Sequence, residues 1–155
     1  MGYQIGVDLT VIDSSPAFKL GELAQQDTGK VYKYVKYEAA TAAVAGVAGE
    51  VAYYATVAVG DATGTIVTSD LSDSDEVGAG VLQAALTDGA YGWVQVTGIA
   101  TLTIALTAGA DGDNLTPTGA TDGTLDTNVA TAADTNICAT AIDASANIIM
   151  CKFDH

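Results

Sequence analysis

Apolar and polar side chains alternate along much of this chain with a period of two residues. The alternation is clearest in VYKYVKY, residues 31–37, where the two valines and Tyr37 fall on one face and Tyr32 and Tyr34 fall on the other. This period is typical of β-strands whose two faces meet different environments. Similar patterns predict further strands at residues 50–60, 63–70, 91–97, 99–106, 136–142 and 147–153.

Turn-forming residues separate these segments. Residues 107–135 are dense in Gly, Asp, Asn and Pro, which predicts turns with short strands near Asn114–Pro117 and Gly123–Thr127. Residues 71–80 are predicted to be an acidic loop, and residues 81–90 a strand or a short helical turn. Short strands with turn signals about every 8–12 residues indicate an all-β protein, either a compact small β-barrel or a β-sandwich.

The first 30 residues lack this regular alternation. They contain turn residues, Pro16 and a short apolar stretch from Phe18 to Leu23. The sequence therefore predicts an irregular N-terminal arm over residues 1–30 and a single β-domain over residues 31–155. A chain of 155 residues is of the size expected for one domain.

The only tryptophan lies in a predicted strand between glycines, in the sequence DGAYGWVQVTG. Alternation places Trp93 on one face with Tyr91 and Gln95, and Val94 on the opposite face. Gly98 is predicted to be a bend or bulge between two strand segments. Trp93 is interpreted as the largest side chain in a core of small residues, with an interface anchor as the alternative.

Charge limits the classes of partner. The formal net charge is −14, there is no arginine, and no basic residue lies between Ala39 and Cys151. Phosphate backbones would be repelled by such a surface, so nucleic-acid binding is not expected. No apolar run is long enough to span a bilayer, and the residues after Met1 lack a signal-peptide pattern, so we expect synthesis in the cytoplasm and no membrane partner.

Candidate catalytic and metal-binding residues are few. The only histidine is His155, the last residue, and no common catalytic motif is present. We therefore expect no enzymatic activity and no cofactor. The acidic segments Asp70–Glu76 and Asp111–Asn114 offer oxygen ligands suited to calcium, but neither has the ligand spacing of an EF-hand loop. Solvated acidic turns are the favoured interpretation, and no metal site is predicted.

Two cysteines, Cys138 and Cys151, lie in the last two predicted strands. If these strands form a hairpin around residues 143–146, the two cysteines are directly opposite one another. Synthesis in the cytoplasm favours free thiols that face each other, and the alternatives are a disulfide or two independent buried side chains.

Tyrosines and lysines concentrate in the first third of the chain. Packing with hydrogen bonds at the rim explains the tyrosines, and a partner-binding face is the alternative because tyrosine is enriched at interfaces. The small side chains of the core bury little area per residue, which favours assembly into an oligomer. The candidate interface residues are Phe18, Lys19, Lys30, Tyr32, Lys33, Tyr34, Lys36, Tyr37 and Trp93.

Four segments carry a resemblance to a known family: FKLGELAQQDTGKVYKYVKYEAA, GAYGWVQVTGIATLTIA, AGADGDNLTP and AIDASANIIMCKF. Together they resemble the small head-decoration, or capsid cement, proteins of tailed bacteriophages, over about residues 18–153. The resemblance implies a compact β-domain without catalytic residues that binds the exterior of an expanded capsid and cross-links subunits of the major capsid protein. It also implies a homo-oligomer, for which we expect a trimer.

A second class of function is compatible with the same residues. Trp93 and Tyr91 would form a stacking platform for a sugar, and an acidic loop would hold calcium. These features would suit a carbohydrate-binding or adhesin-type β-module. The low aromatic content, 6%, and the lack of a secretion signal favour the virion protein over this alternative.

Overall fold

Strands make up almost all of the regular structure in the computed structural model, which describes residues 2–39, 44–56, 64–128 and 136–155. Within these ranges the helical content is a single 3₁₀ turn at Leu71–Asp73. The all-β prediction is therefore confirmed. The strands are β1 (Leu23–Gln25), β2 (Val31–Tyr37), β3 (Val51–Ala55), β4 (Ile66–Thr68), β5 (Ser74–Leu82), β6 (Tyr91–Thr101), β7 (Asn114–Thr116), β8 (Asp126–Thr127), β9 (Ala139–Asp143) and β10 (Ile148–Lys152).

The ten strands form one sheet in the order β1-β2-β4-β3-β5-β6-β10-β9-β7-β8. All pairs are antiparallel except β2 with β4. β2 also pairs with β6, so strands β2, β4, β3, β5 and β6 form a continuous circuit of paired strands. The sheet is nevertheless not a closed barrel, because β10, β9, β7 and β8 extend beyond β6.

The main core lies on one face of the central strands. It contains Val35 and Tyr37 from β2 and Val94 and Val96 from β6, together with Leu82 at the end of β5. Alternation assigns Val35 and Tyr37 to one face of β2, and Val94 and Val96 to one face of β6, so the predicted faces of both strands are confirmed. Aliphatic side chains from β3, β4, β9 and β10 complete this core.

A second, smaller cluster lies on the other face of β2 and β6. It contains Tyr32, Tyr34 and Trp93, and it is covered by Leu9 and Phe18 of the N-terminal segment. The predicted arm thus packs on the sheet. It is tied there by a parallel bridge from Gln4 to Ala24 and an antiparallel bridge from Asp13 to Tyr91, and its range includes β1.

Strand β5 corrects the prediction of a loop over residues 71–80. Only the 3₁₀ turn precedes it, and the strand runs from Ser74 to Leu82. Gly80 in this strand is required by close packing: a Cβ there would lie 2.8 Å from the Gln95 carbonyl oxygen, and φ is +150°. Glycine inside a strand often marks such a close approach of another backbone.

Strand β6 corrects the prediction of two segments joined by a bend. It runs without interruption from Tyr91 to Thr101, and the predicted strand at 99–106 ends at Thr101. Gly98 has φ of +97° but still pairs with Cys151. The irregularity lies two residues earlier, because Val31 pairs with Thr97 while Tyr32 pairs with Gln95.

The remaining strands agree with the predicted positions, with shifted ends. β7 and β8 lie within the short strands predicted in the turn-rich segment, and β10 lies within residues 147–153. β9 begins at Ala139 instead of residue 136. Residues 57–60 of the strand predicted at 50–60 and residue 63 of the next one lie outside the described residues.

The hairpin of β9 and β10 has a different register from the predicted one. Cys151 pairs with Ala139, so Cys138 lies one position away from the predicted pairing. The turn accounts for this offset: Ile148 pairs with Asp143, so the connection comprises residues 144–147 instead of 143–146. This turn alone would place Thr140 opposite Cys151, and the register shift between Ile148 and Ile149, with Ile142 as an extra residue in β9, brings Ala139 there instead. Both thiols are free and buried.

Candidate functional site

Four aromatic rings meet beneath the N-terminal arm. Trp93 is 1% exposed and its ring centroid lies 5.0 Å from that of Tyr34. Phe18 packs edge-on against both, with centroid distances of 5.3 Å to each. The ring of Tyr91 is nearly parallel to that of Tyr34, with a centroid distance of 6.4 Å. These separations suit favourable aromatic pairs, so the arm is held mainly by apolar contact with β2 and β6.

Polar contacts fix the same part of the arm. The Tyr34 hydroxyl donates to Asp13 Oδ2 at 2.6 Å and accepts from the Ala17 amide at 3.2 Å. Asp13 and Tyr91 exchange two backbone hydrogen bonds, of 3.0 and 2.9 Å. Burial, followed by the hydrogen bond to Asp13, raises the pKa of Tyr34 to about 12. Tyr34 is therefore a neutral donor at physiological pH.

The other buried tyrosines also use their hydroxyls within the chain. Tyr37 donates to the Val44 carbonyl oxygen at 2.8 Å and accepts from the Ser69 amide at 3.2 Å. Tyr53 accepts from the Thr124 amide at 3.0 Å. Packing with internal hydrogen bonds accounts for these residues without a partner molecule.

The nine residues predicted as an interface do not form one exposed surface. Tyr32, Tyr34, Tyr37 and Trp93 are buried, and Tyr37 belongs to the main core instead of the arm-covered face. Of the others, only Lys19 is fully exposed; Phe18, Lys30, Lys33 and Lys36 are half-buried. Contact of these residues with a partner stays a prediction, and for the four buried ones it would require the chain to open.

Two of these lysines already have partners in the chain. Lys33 Nζ donates to the Tyr54 hydroxyl at 2.9 Å and to the Gly64 carbonyl oxygen at 3.0 Å, and it lies 5.0 Å from the centroid of the Tyr54 ring. Lys36 forms an ion pair with Glu38 at 2.7 Å, and the hydrogen bond within this pair raises the pKa of Lys36.

Exposed apolar side chains define surfaces that the sequence reasoning missed. Within the described residues there are seven large ones, of which four belong to the first twelve residues. Ile5 is the most exposed of them, at 80%. No regular pattern in the first twelve residues signals this exposure, since Val7 packs on the aromatic cluster while Tyr3 and Ile5 are exposed. The seven are Tyr3, Ile5, Val11, Ile12, Val47, Ile99 and Ile142.

The acidic segments stabilise turns. Asp70 caps the 3₁₀ turn by accepting from the Ser72 amide and hydroxyl. Asp113 accepts from the Ala110 amide, and Asp111 from the Ala144 amide, each at 2.8 Å. Across the described ranges, no three His, Cys, Asp or Glu side chains converge as ligands for a metal ion.

No family model, curated protein or solved structure matches the chain. Membership of the capsid decoration family therefore stays a prediction from the sequence segments quoted above. In the part of the chain that the structure describes, no helix has the length and apolar character needed to cross a membrane.

Proposed function

We propose that this protein is a structural component of a phage virion. It binds the outer surface of an expanded capsid and stabilises the shell by bridging subunits of the major capsid protein. The proposal rests on the resemblance of the sequence to capsid decoration proteins. One structural observation supports it most: four large apolar side chains within the first twelve residues are exposed.

The N-terminal arm that carries these exposed apolar side chains packs on the sheet. Its inner side contacts the aromatic cluster through Leu9 and Phe18, while Ile5 and Ile12 on the outer side face solvent. Exposed large apolar residues concentrated in one short segment are candidates for contact with a partner. Residues held by packing on a sheet bind with less loss of conformational entropy than a free tail would.

Charge and repetition fit the same function. Nineteen acidic and five basic residues give a surface that keeps the free protein soluble and limits non-specific contacts. A protein that binds the assembled shell but not its separate subunits stabilises the shell by mass action. Repeated over many equivalent sites, a modest affinity at each site yields a large total stabilisation.

The carbohydrate-binding alternative has less support from the structure. Its proposed platform needs an exposed Trp93 ring, and this ring is covered by Phe18 and Tyr34. A sugar would reach it only after the arm had left the sheet.

Co-sedimentation with expanded capsids that lack the protein tests the proposal. We expect saturable binding by the wild type, and loss of most binding by the double variant Ile5→Ser, Ile12→Ser. Val47→Ser is the matched control, because Val47 is 45% exposed and lies outside the arm. Absence of wild-type binding would overturn the proposed function; equal binding by the arm variant and the control would overturn the role of the arm.

A further inference from the structure

The outer face of β6, β10 and β9 forms a second apolar surface, separate from the arm. Register places Ile99 beside Met150 and Met150 beside Thr140, so these three side chains form one row across the three strands. Thr101 and Ile148 form the next row, with Asp143 at its end. The face consists of Thr97, Ile99, Thr101, Thr140, Ile142, Asp143, Ile148, Met150 and Lys152.

The two sides of these strands differ sharply in burial. Ala100, Ile149, Cys151 and Ala141 point to the other side and are buried in the main core. On the outer face, Ile99 is 46% exposed and Ile142 is 45% exposed. A sheet with one face in the core and an apolar second face has the form of a layer that a further layer can cover.

The charge pattern identifies what would cover this face. Two copies of a chain with net charge −14 repel each other over most of their surfaces. Among the nine residues of the face, the only charged ones are Asp143 and Lys152, and their charges cancel. Like-charged copies therefore approach each other at the lowest electrostatic cost through this face.

We propose that the outer face of β6, β10 and β9 binds the same face of a second copy in a two-fold symmetric contact. The two-fold axis crosses the strands near the row of Ile99 and Met150. This arrangement brings Lys152 of one copy near Asp143 of the other, because these residues lie at opposite ends of the face, about 13 Å apart along the strands. A two-fold axis parallel to the strands would instead bring Lys152 near its own symmetry mate.

The size of the face sets the strength of the contact. Three strands of about five residues cover roughly 200 Å² in projection. A stable dimer buries about 800 Å² on each partner. We therefore expect weak association in solution, with a Kd of about 0.1–1 mM, which becomes important when copies are concentrated on a surface.

Sedimentation equilibrium of the full chain between about 10 µM and 1 mM tests this proposal without any capsid, so its outcome is independent of the proposed function. We expect a monomer–dimer equilibrium in the wild type. Ile99→Thr keeps a β-branched side chain and removes apolar surface from both copies, so its Kd should rise about tenfold. Val47→Thr is the matched control, with nearly equal exposure outside the face, and should not change the Kd.

A charge variant tests the geometry independently. Lys152→Glu should also weaken the dimer, and added salt should reduce the difference between this variant and the wild type. A wild type that stays monomeric at 1 mM overturns the proposal. So does a trimer, which is the oligomer that the sequence resemblance implies, or a dimer whose Kd is the same in Ile99→Thr and Val47→Thr. A dimer weakened by Ile99→Thr but not by Lys152→Glu overturns the proposed orientation of the axis. Melting temperatures close to wild type show that the variants are folded.

Discussion

Replacing Phe18 with alanine removes the ring that joins the N-terminal arm to Trp93. Phe18 makes edge contacts with Tyr34 and Trp93, each with a centroid distance of 5.3 Å. Two such pairs contribute about 1–3 kcal/mol, and burial of a half-exposed phenyl group adds about 1 kcal/mol. Docking of the arm should therefore weaken by about 2–4 kcal/mol, a large part of the free energy that holds so short a segment.

Fluorescence of Trp93 reports this change directly, because it is the only tryptophan in the chain. In the wild type we expect blue-shifted emission and slow acrylamide quenching, since the side chain is 1% exposed. Phe18→Ala should shift the emission to the red and increase the quenching rate. The control is Ile5→Ala, which truncates a mostly exposed side chain on the same arm and should change neither. Wild-type emission and quenching in Phe18→Ala would refute the conclusion that the arm shields Trp93.

Three further predictions concern the core. The pKa of Tyr34 is raised to about 12, so its stabilising contribution is complete below about pH 10 and is lost as pH rises towards 12. In denaturant titrations, Tyr34→Phe should lose less stability between pH 8 and pH 11 than the wild type does, and an equal loss in both would contradict this. Gly80→Ala should lower the free energy of unfolding by at least about 2 kcal/mol, because its Cβ would lie 2.8 Å from the Gln95 carbonyl oxygen, whereas unchanged urea denaturation would show that β5 can shift. Burial raises the pKa of the Cys138 thiol and raises that of Cys151 to about 12. A thiol reagent should therefore react with neither cysteine in the native protein, and with both after denaturation without reductant. Fewer than two reactive thiols after denaturation would indicate oxidation.

Local alternation predicted the faces of the central strands well. In β2 and β6, side chains of opposite parity lie in different clusters, as the period of two requires. This success has a simple cause: both faces of β2 and of the first part of β6 are packed against different apolar groups, so the side chains there are constrained. The sequence did not reveal that the arm supplies the second cover, because Leu9 and Phe18 lie in a segment without regular periodicity.

Contacts between distant segments account for the errors. Gly80 allows β5 to lie against β6, but a glycine read alone suggests a turn. The turn between β9 and β10 comprises residues 144–147 instead of 143–146, and the extra residue Ile142 reverses only half of this displacement, which leaves Ala139 opposite Cys151. The aromatic residues predicted to bind a partner include Tyr34 and Trp93, which bind the arm of their own chain. Composition cannot distinguish an internal partner from an external one.

Binding to expanded capsids is the most direct test of the proposed function. Capsids stripped of this protein should be incubated with increasing amounts of the wild type and sedimented, with unexpanded capsids and a glycan array as comparisons. The account predicts saturable binding to the expanded shell at a fixed ratio to the major capsid protein, and a shell that resists heating better once the protein is bound. Failure to bind expanded capsids, together with binding to glycans, would contradict it.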